Sequence, residues 1–179
     1  LSAAYSRHSV RVDEAEAAWH GQSIRGQGVI RFNGESPSLD FHLRLPNASI
    51  EGILAGLNRP AIPLRGAIEG EAAISGDVSK PRGTVTLVAS NLVAYGESFG
   101  ELAVRASADG AAVRLDQLRL DKGAPGQVLE ANGVYDLSSR RISLSATGRN
   151  LTIDHLTPPG GEPLRAILDL TAACGGTID

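Results

Sequence analysis

Cysteine occurs once in the 179 residues, at Cys174, so an internal disulfide framework and a thiolate metal cluster are both excluded. Methionine is absent and aromatic residues make up only 4% of the chain. The interior must therefore be built from Leu, Val, Ile and Ala. A strong excess of charge of either sign is missing too: 17 basic residues stand against 20 acidic ones, for a net charge of -3, and no basic run exceeds Arg140-Arg141. A nucleic-acid footprint needs a basic patch or stripe, so no nucleic acid is expected as a partner. Long apolar runs are lacking. The longest uncharged stretch, Gly83–Gly96, is studded with Thr, Ser and Asn, too short and too polar to span a bilayer, and no transmembrane span is expected. The chain starts at Leu1 without a charged-then-apolar leader, so we expect it to be processed or a piece of something longer. What is present is 42% apolar and 21% charged residues, a globular balance, and 21 glycines, well above the usual share of about 7%. Small aliphatic residues between many tight turns favour repetitive β structure.

Hydrophobic periodicity supports this. Val85, Leu87 and Ala89 share one face, with Thr84, Thr86 and Ser90 on the other; Leu102, Val104 and Ala106 then alternate with Glu101, Arg105 and Ser107. Asp109-Gly110 is a strong hairpin signal, and Val113 and Leu115 continue beyond it. Leu118 and Leu120 fall in the opposite phase, so a bulge or bend is expected near Asp116-Gln117. Leu129, Ala131, Gly133 and Tyr135, a turn over Asp136–Ser139, and Ile142, Leu144 and Ala146 complete an antiparallel meander. Earlier in the chain Ile24, Ile30 and Phe32, then Leu39, Phe41, Leu43 and Leu45, then Leu64, Ile68, Ala72 and Ile74 read the same way. Ala48–Leu57 is the exception. Ile50, Ile53, Leu54 and Leu57 have helical spacing, Asn47 serves as N-cap, and Asn58-Arg59-Pro60 stops the run. A second helical turn is expected over Leu151–Leu156.

Two stretches about a hundred residues apart look alike. Asn47-Ala48-Ser49-Ile50-Glu51, Pro63-Leu64-Arg65 and Ile74-Ser75-Gly76 parallel Asn150-Leu151-Thr152-Ile153-Asp154, Pro163-Leu164-Arg165 and Cys174-Gly175-Gly176. Asn33-Gly34 likewise matches Asn132-Gly133. Residues 1–179 are thus read as one continuous slice of a repetitive β protein, with units of about 47–149 and 150–179, the second cut short.

The stretches Leu64–Gly76, Pro81–Leu87, Asp116–Leu120 and Asn132–Leu137 together resemble the TamB/AsmA-like proteins of the Gram-negative envelope, which include translocation and assembly module subunits. The resemblance covers most of Ser23–Asp179 and is carried by glycine punctuation and alternation. It implies an all-β fold: an antiparallel, elongated, curved sheet forming a taco-like groove, with one or two short helices. It further implies a periplasmic segment of a bridge-like protein, the parent anchored in the inner membrane, that shields phospholipid acyl chains on their way to the outer membrane. The physical logic is simple. At about 0.8 kcal/mol per methylene, roughly thirty exposed methylenes cost on the order of 25 kcal/mol. An apolar trough removes that penalty without directional traps, so neither catalytic residue nor cofactor is required, and the chain is expected not to be an enzyme. The lipid-contacting residues expected on this basis are Val85, Leu87, Leu102, Val104, Val113, Leu115, Ile142 and Leu144. The family is also linked to outer-membrane protein assembly, which implies an outer-membrane barrel protein as an alternative partner, reached by strand addition. Alternation alone fits a closed β-sandwich equally well as an open groove.

Other motifs carry less. Gly96-Glu97-Ser98-Phe99-Gly100 matches the nucleophile-elbow pattern, with His155 later in the chain, and a serine hydrolase at Ser98 is the remote alternative. The elbow needs a helix after the serine, whereas Glu101–Ser107 alternates as a strand, so an inter-strand turn is expected. Gly26-Gln27-Gly28 has Arg31 where a dinucleotide fingerprint needs its third glycine. His8, His20, His42 and His155 lack metal-ligand spacing. The sequons Asn47-Ala48-Ser49 and Asn150-Leu151-Thr152 occupy matched positions and read as backbone caps.

Overall fold

The computed structural model describes residues 2–32, 36–78, 80 and 82–177. Eleven strands form one antiparallel sheet in strict sequence order: β1 (Ser2–Ser6), β2 (Ser9–Trp19), β3 (Gln22–Arg31), β4 (Ser38–Ser49), β5 (Leu64–Asp77), β6 (Arg82–Ala94), β7 (Glu97–Asp109), β8 (Ala112–Asp121), β9 (Val128–Asp136), β10 (Arg141–Leu156) and β11 (Leu164–Thr177). One helix, α1 (Ile50–Gly56), interrupts them between β4 and β5. The protein is all-β, and the sheet is curved and open. A second sheet to make a sandwich is absent among the described residues.

Local chemistry explains the turns. At the β7–β8 hairpin Gly110 takes φ +86°, and Asp109 Oδ1 accepts from the N–H groups of Ala111 (3.0 Å) and Ala112 (2.9 Å). These two donors, with Arg114 beside them, pull the Asp109 carboxyl down to about 2. A depressed folded-state value means that the cap is intact above the ordinary carboxylate range and is lost only as pH falls through about 2. An NMR titration of Asp109 is expected to show its midpoint near 2; a midpoint at the ordinary value of about 4 would contradict the cap. Asp136 closes the β9–β10 hairpin in the same way, accepting from Ser138 N (3.0 Å) and Ser139 N (2.7 Å). On β8, Leu115 pairs with Gly133 and Leu118 with Ala131, so two residues of β8, Asp116 and Gln117, oppose one of β9, Asn132. That bulge at Asp116-Gln117 is the one the phase change requires, and it returns Leu118 and Leu120 to the face of Val113 and Leu115.

Two helix expectations need correction. Helix α1 begins at Ile50, not Ala48, and its N-cap is Ser49, not Asn47. Ser49 Oγ accepts from Gly52 N at 3.1 Å, while Ala48 remains in β4, opposite Ile68 and buried. Leu151–Leu156 forms no helical turn; it is the end of β10. Leu151 and Ile153 are both buried and pair with Leu168 and Ala166, a period of two that a helix would break. Asn150 adopts φ +49° and donates its N–H to Asp169 Oδ1 (2.8 Å), and Thr152 Oγ1 binds Gln127, so the second sequon caps no helix. The matched stretches do share one register. The step from Leu45–Gly70 to Ala48–Ile68 across β4 and β5 recurs from Gly148–Leu170 to Leu151–Leu168 across β10 and β11. Asn33-Gly34 and Pro81 lie outside the described residues.

The core is small and lies at one end of the strands. Ile50 of α1 packs on Ala89 and Leu92, and Leu54, Leu64, Ile68, Phe99, Leu102 and Leu120 close around them. Elsewhere the sheet is a single layer. Its accessible surface is 11682 Å², against roughly 8,200 Å² for a compact monomer of this mass.

Candidate functional site

The strand register settles which side chains share a face, because directly opposed residues in an antiparallel ladder project to the same side. Starting from β6, Val85 faces Ala106, Leu87 faces Val104 and Ala89 faces Leu102. Those three positions on β7 face Leu115, Leu118 and Leu120 on β8, and Ala108 faces Val113. Val113 continues to Tyr135 and Ile142, and Leu115 to Gly133 and Leu144. All eight residues expected to meet lipid thus lie on one face. In the other direction the same rows run through Ala72, Gly70 and Ile68 on β5 to Leu43, Leu45 and Ala48 on β4, and on to β3. The apolar face is continuous from β3 to β10, about 34 Å at the usual strand spacing.

Glycines keep the face smooth. Gly70 lies between Leu45 and Leu87 in one row, and Gly133 between Leu115 and Leu144 in another. A Cβ at Gly70 would run into the Leu87 side chain, and one at Gly133 would lie 3.0 Å from the end of Leu144. A hollow of about 230 Å³ opens on this face beside Ile74, Val85, Ala106 and Val113. Most of the eight are half-buried by their neighbours alone, and Val113 is exposed.

The opposite face is polar. Cross-strand ion pairs run along it, Arg44 with Glu71 at 2.8 Å, Arg119 with Glu130 at 2.7 Å and Arg25 with Glu16 at 3.5 Å, all substantially exposed. Such pairs contribute little stability, typically under about 1 kcal/mol each, and mark the water side. A hollow of about 530 Å³ on this side is walled by Asp13, Arg25, His42, Arg44 and Glu71, of which Arg44 and Glu71 pair with each other and Arg25 pairs with Glu16.

One end of the apolar trough is fastened by a buried ion pair that periodicity gives no sign of. Glu97, at the start of β7, is 3% exposed. Its Oε1 binds Lys122 Nζ from the β8–β9 connection, and its Oε2 accepts from Asp154 N (2.9 Å) and His155 N (2.7 Å) on β10. Lys122 also donates to the Thr152 carbonyl and stands 5.0 Å above the Phe99 ring. Thr157 N reaches the Tyr95 carbonyl at 2.8 Å. Together these contacts draw β7 towards β10, three places away in the sheet, with Leu151, Ile153 and Phe99 on the inside of the bend. Burial pushes the Glu97 carboxyl up, but the hydrogen bonds from Lys122, His155 and Asp154 and the Lys122 charge outweigh it and hold the carboxyl below its ordinary value.

Ser98 lies within β7, opposite Val93, rather than in a turn; only Tyr95-Gly96 turns. Eleven residues of strand follow it where an elbow needs a helix. Ser98→Ala is expected to leave folding unchanged, and a serine-directed fluorophosphonate is expected not to label the protein. Labelling that the substitution abolishes would restore the hydrolase reading. Gly26 and Gly28 sit within β3 beneath Leu43 and Phe41. Among the described residues no group of three or more His, Cys, Asp or Glu is placed to hold a metal ion, and no helix is long and apolar enough to cross a membrane. No family model, no curated protein and no solved structure matches this chain.

Proposed function

We propose that this chain is a lipid-shielding segment of a bridge-like protein of the TamB/AsmA type, working in the periplasm to carry phospholipid acyl chains between the inner and outer membranes. The observation that supports this reading is an apolar sheet face without a second protein layer over it. A sheet hydrophobic on one side normally buries that side against helices or another sheet. Here α1 covers only one end of it, and the surface exceeds that of a compact domain by roughly 3,400 Å². Acyl chains are a chemically suitable cover. They need only nondirectional apolar contact, and the trough presents Leu, Val and Ile in smooth rows with its ion pairs on the other side. The polar face keeps such a segment wetted on its outside while lipid occupies the inside.

The test is whether the purified chain carries phospholipid. Native mass spectrometry and lipid extraction are expected to find phospholipid bound to it, and the double variant Leu87→Asp/Val104→Arg is expected to lose that lipid while keeping its β-sheet circular dichroism. A lipid-free chain that takes up no phospholipid from mixed micelles would contradict the proposal. A second reading, an interaction module that adds a strand to an outer-membrane barrel protein, is supported by the edge of β11, which among the described residues pairs with β10 alone.

A further inference from the structure

The apolar face is covered at one end of the strands only. Its buried positions Ala48, Ala89, Leu92, Leu151 and Ile153 all lie towards the α1 end, where Ile50 and Leu54 pack on the sheet and the Glu97–Lys122 clasp draws β7 to β10. Leu102 and Leu120 belong to that packed end. Beyond them the rows through Val104, Ala106 and Ala108 on β7 run on towards the opposite strand ends. None of these three, nor their partners Leu87, Val85 and Gly83 on β6, is buried. The apolar hollow of about 230 Å³ lies among them.

The turns at that open end form a continuous rim. A Cβ at Gly110 in the β7–β8 turn would stand 3.2 Å from Lys80 in the β5–β6 turn, and Leu137 N, leading into the β9–β10 turn, donates to the Ala111 carbonyl at 2.9 Å. Two carboxylates of this rim are engaged by their own hairpins. Asp109 is held by Ala111, Ala112 and Arg114, and Asp136 by Ser138 and Ser139. Four cations are left over. Lys80, Arg82, Arg140 and Arg141 are exposed, and none of them enters an ion pair among the described residues. At the α1 end, by contrast, Lys122 is buried against Glu97.

We infer that a phospholipid lies in the trough in one orientation, its acyl chains in the open rows and its phosphate on the basic rim, at Lys80 and Arg82 or at Arg140 and Arg141; this rests on the lipid-carrying reading above. The two cation pairs flank β6 and β10, four strand spacings or about 19 Å apart, so they are successive stations along the trough rather than one site. A phosphate diester is an anion that keeps its hydration, and lysine and arginine at a wet rim meet it with charge-assisted hydrogen bonds while the chains below stay dry. The reverse orientation would drive the phosphate into the packed end, among Ile50, Leu92, Leu102 and Leu120, where an unpaired charge is costly. Leu102, one of the eight residues expected at the lipid, therefore closes the trough instead of touching its cargo.

The experiment offers the 179-residue chain, in mixed micelles, a phospholipid and a diacylglycerol bearing the same acyl chains, and reads the bound lipid by native mass spectrometry. The parent is expected to prefer the phospholipid by about tenfold or more, the charged hydrogen bonds being the only difference between the two. The quadruple variant Lys80→Glu/Arg82→Glu/Arg140→Glu/Arg141→Glu is expected to lose that preference with an unchanged circular dichroism spectrum, and Arg59→Glu/Arg165→Glu, at the α1 end, to keep it. Inorganic phosphate is expected not to displace the lipid. Photo-crosslinking residues placed singly along β7 are expected to capture phospholipid from Ala106 and Ala108 and not from Leu102. A chain that takes up neither lipid would overturn the lipid-carrying reading and this orientation with it. Equal uptake of both lipids by the parent, a quadruple variant that keeps the preference, displacement by inorganic phosphate, or capture from Leu102 equal to that from Ala106 and Ala108 would overturn the orientation and leave that reading standing.

Discussion

Lys122→Met is expected to destabilise the fold by about 3–5 kcal/mol, because it leaves the Glu97 carboxylate buried without its counter-charge. The side chains of Lys122 and Glu97 are 6% and 4% exposed, so water cannot replace the missing ammonium group. Coulombic gain in such a pair roughly offsets the cost of desolvation, and removing one partner strands that cost. The double variant Glu97→Leu/Lys122→Met is therefore expected to recover a large part of the loss. It cannot recover all of it, since the Asp154 and His155 amides lose their acceptor. Urea denaturation of the parent, the single and the double variants gives the comparison; a single variant within about 1 kcal/mol of the parent would show that the pair does not hold β7 to β10. Acid acts on the same group. With the folded-state value of Glu97 depressed, the contribution of the carboxylate is complete above the ordinary carboxylate range and is lost only as pH falls through that lower folded value.

Leu87→Asp is expected to have a small effect on folding and a large one on lipid. Leu87 lies half-buried over Gly70 and opposite Val104 on an open face, so the new carboxylate can hydrate, and the loss is held to about 2 kcal/mol or less of apolar contact. In a closed sandwich the same change would bury an unpaired charge and unfold the protein. Acyl chains crossing that row would have to pass a solvated group, so phospholipid carriage is expected to fall to background. Thr86→Asp, one residue along and on the polar face, is the matched control and is expected to retain lipid.

Much of this architecture was legible because a period of two over Leu, Val and Ile is a strong local signal. The phase slip between Leu115 and Leu118 announced the bulge, and Asp109-Gly110 the hairpin. Strands β1 and β2 went unread. In β2 the apolar positions are Val10 and Val12, then Ala15 and Ala17 after a register shift, and alanine alternating with Glu16 and Ala18 has almost no period. The helical turn expected over Leu151–Leu156 followed from likeness to the α1 segment. Ser49 there caps Gly52, whereas the matching Thr152 turns to Gln127, and Pro158-Pro159 leave no room for a helix to grow. The Glu97–Lys122 clasp joins residues 25 and 57 or 58 positions apart through one carboxylate. No local pattern marks such a contact; only the bend of the sheet creates it.

The central claim is that the apolar face meets acyl chains and the polar face meets water. Photo-crosslinking residues placed singly at Leu87, Val104, Thr86 and Arg105 in cells test it directly. Leu87 and Val104 oppose each other on the apolar face, as Thr86 and Arg105 do on the polar one, so the four sites differ in side and little else. Phospholipid captured from Leu87 and Val104 but not from Thr86 and Arg105 is the result this structure predicts; equal capture from both faces, or capture from neither, would contradict it.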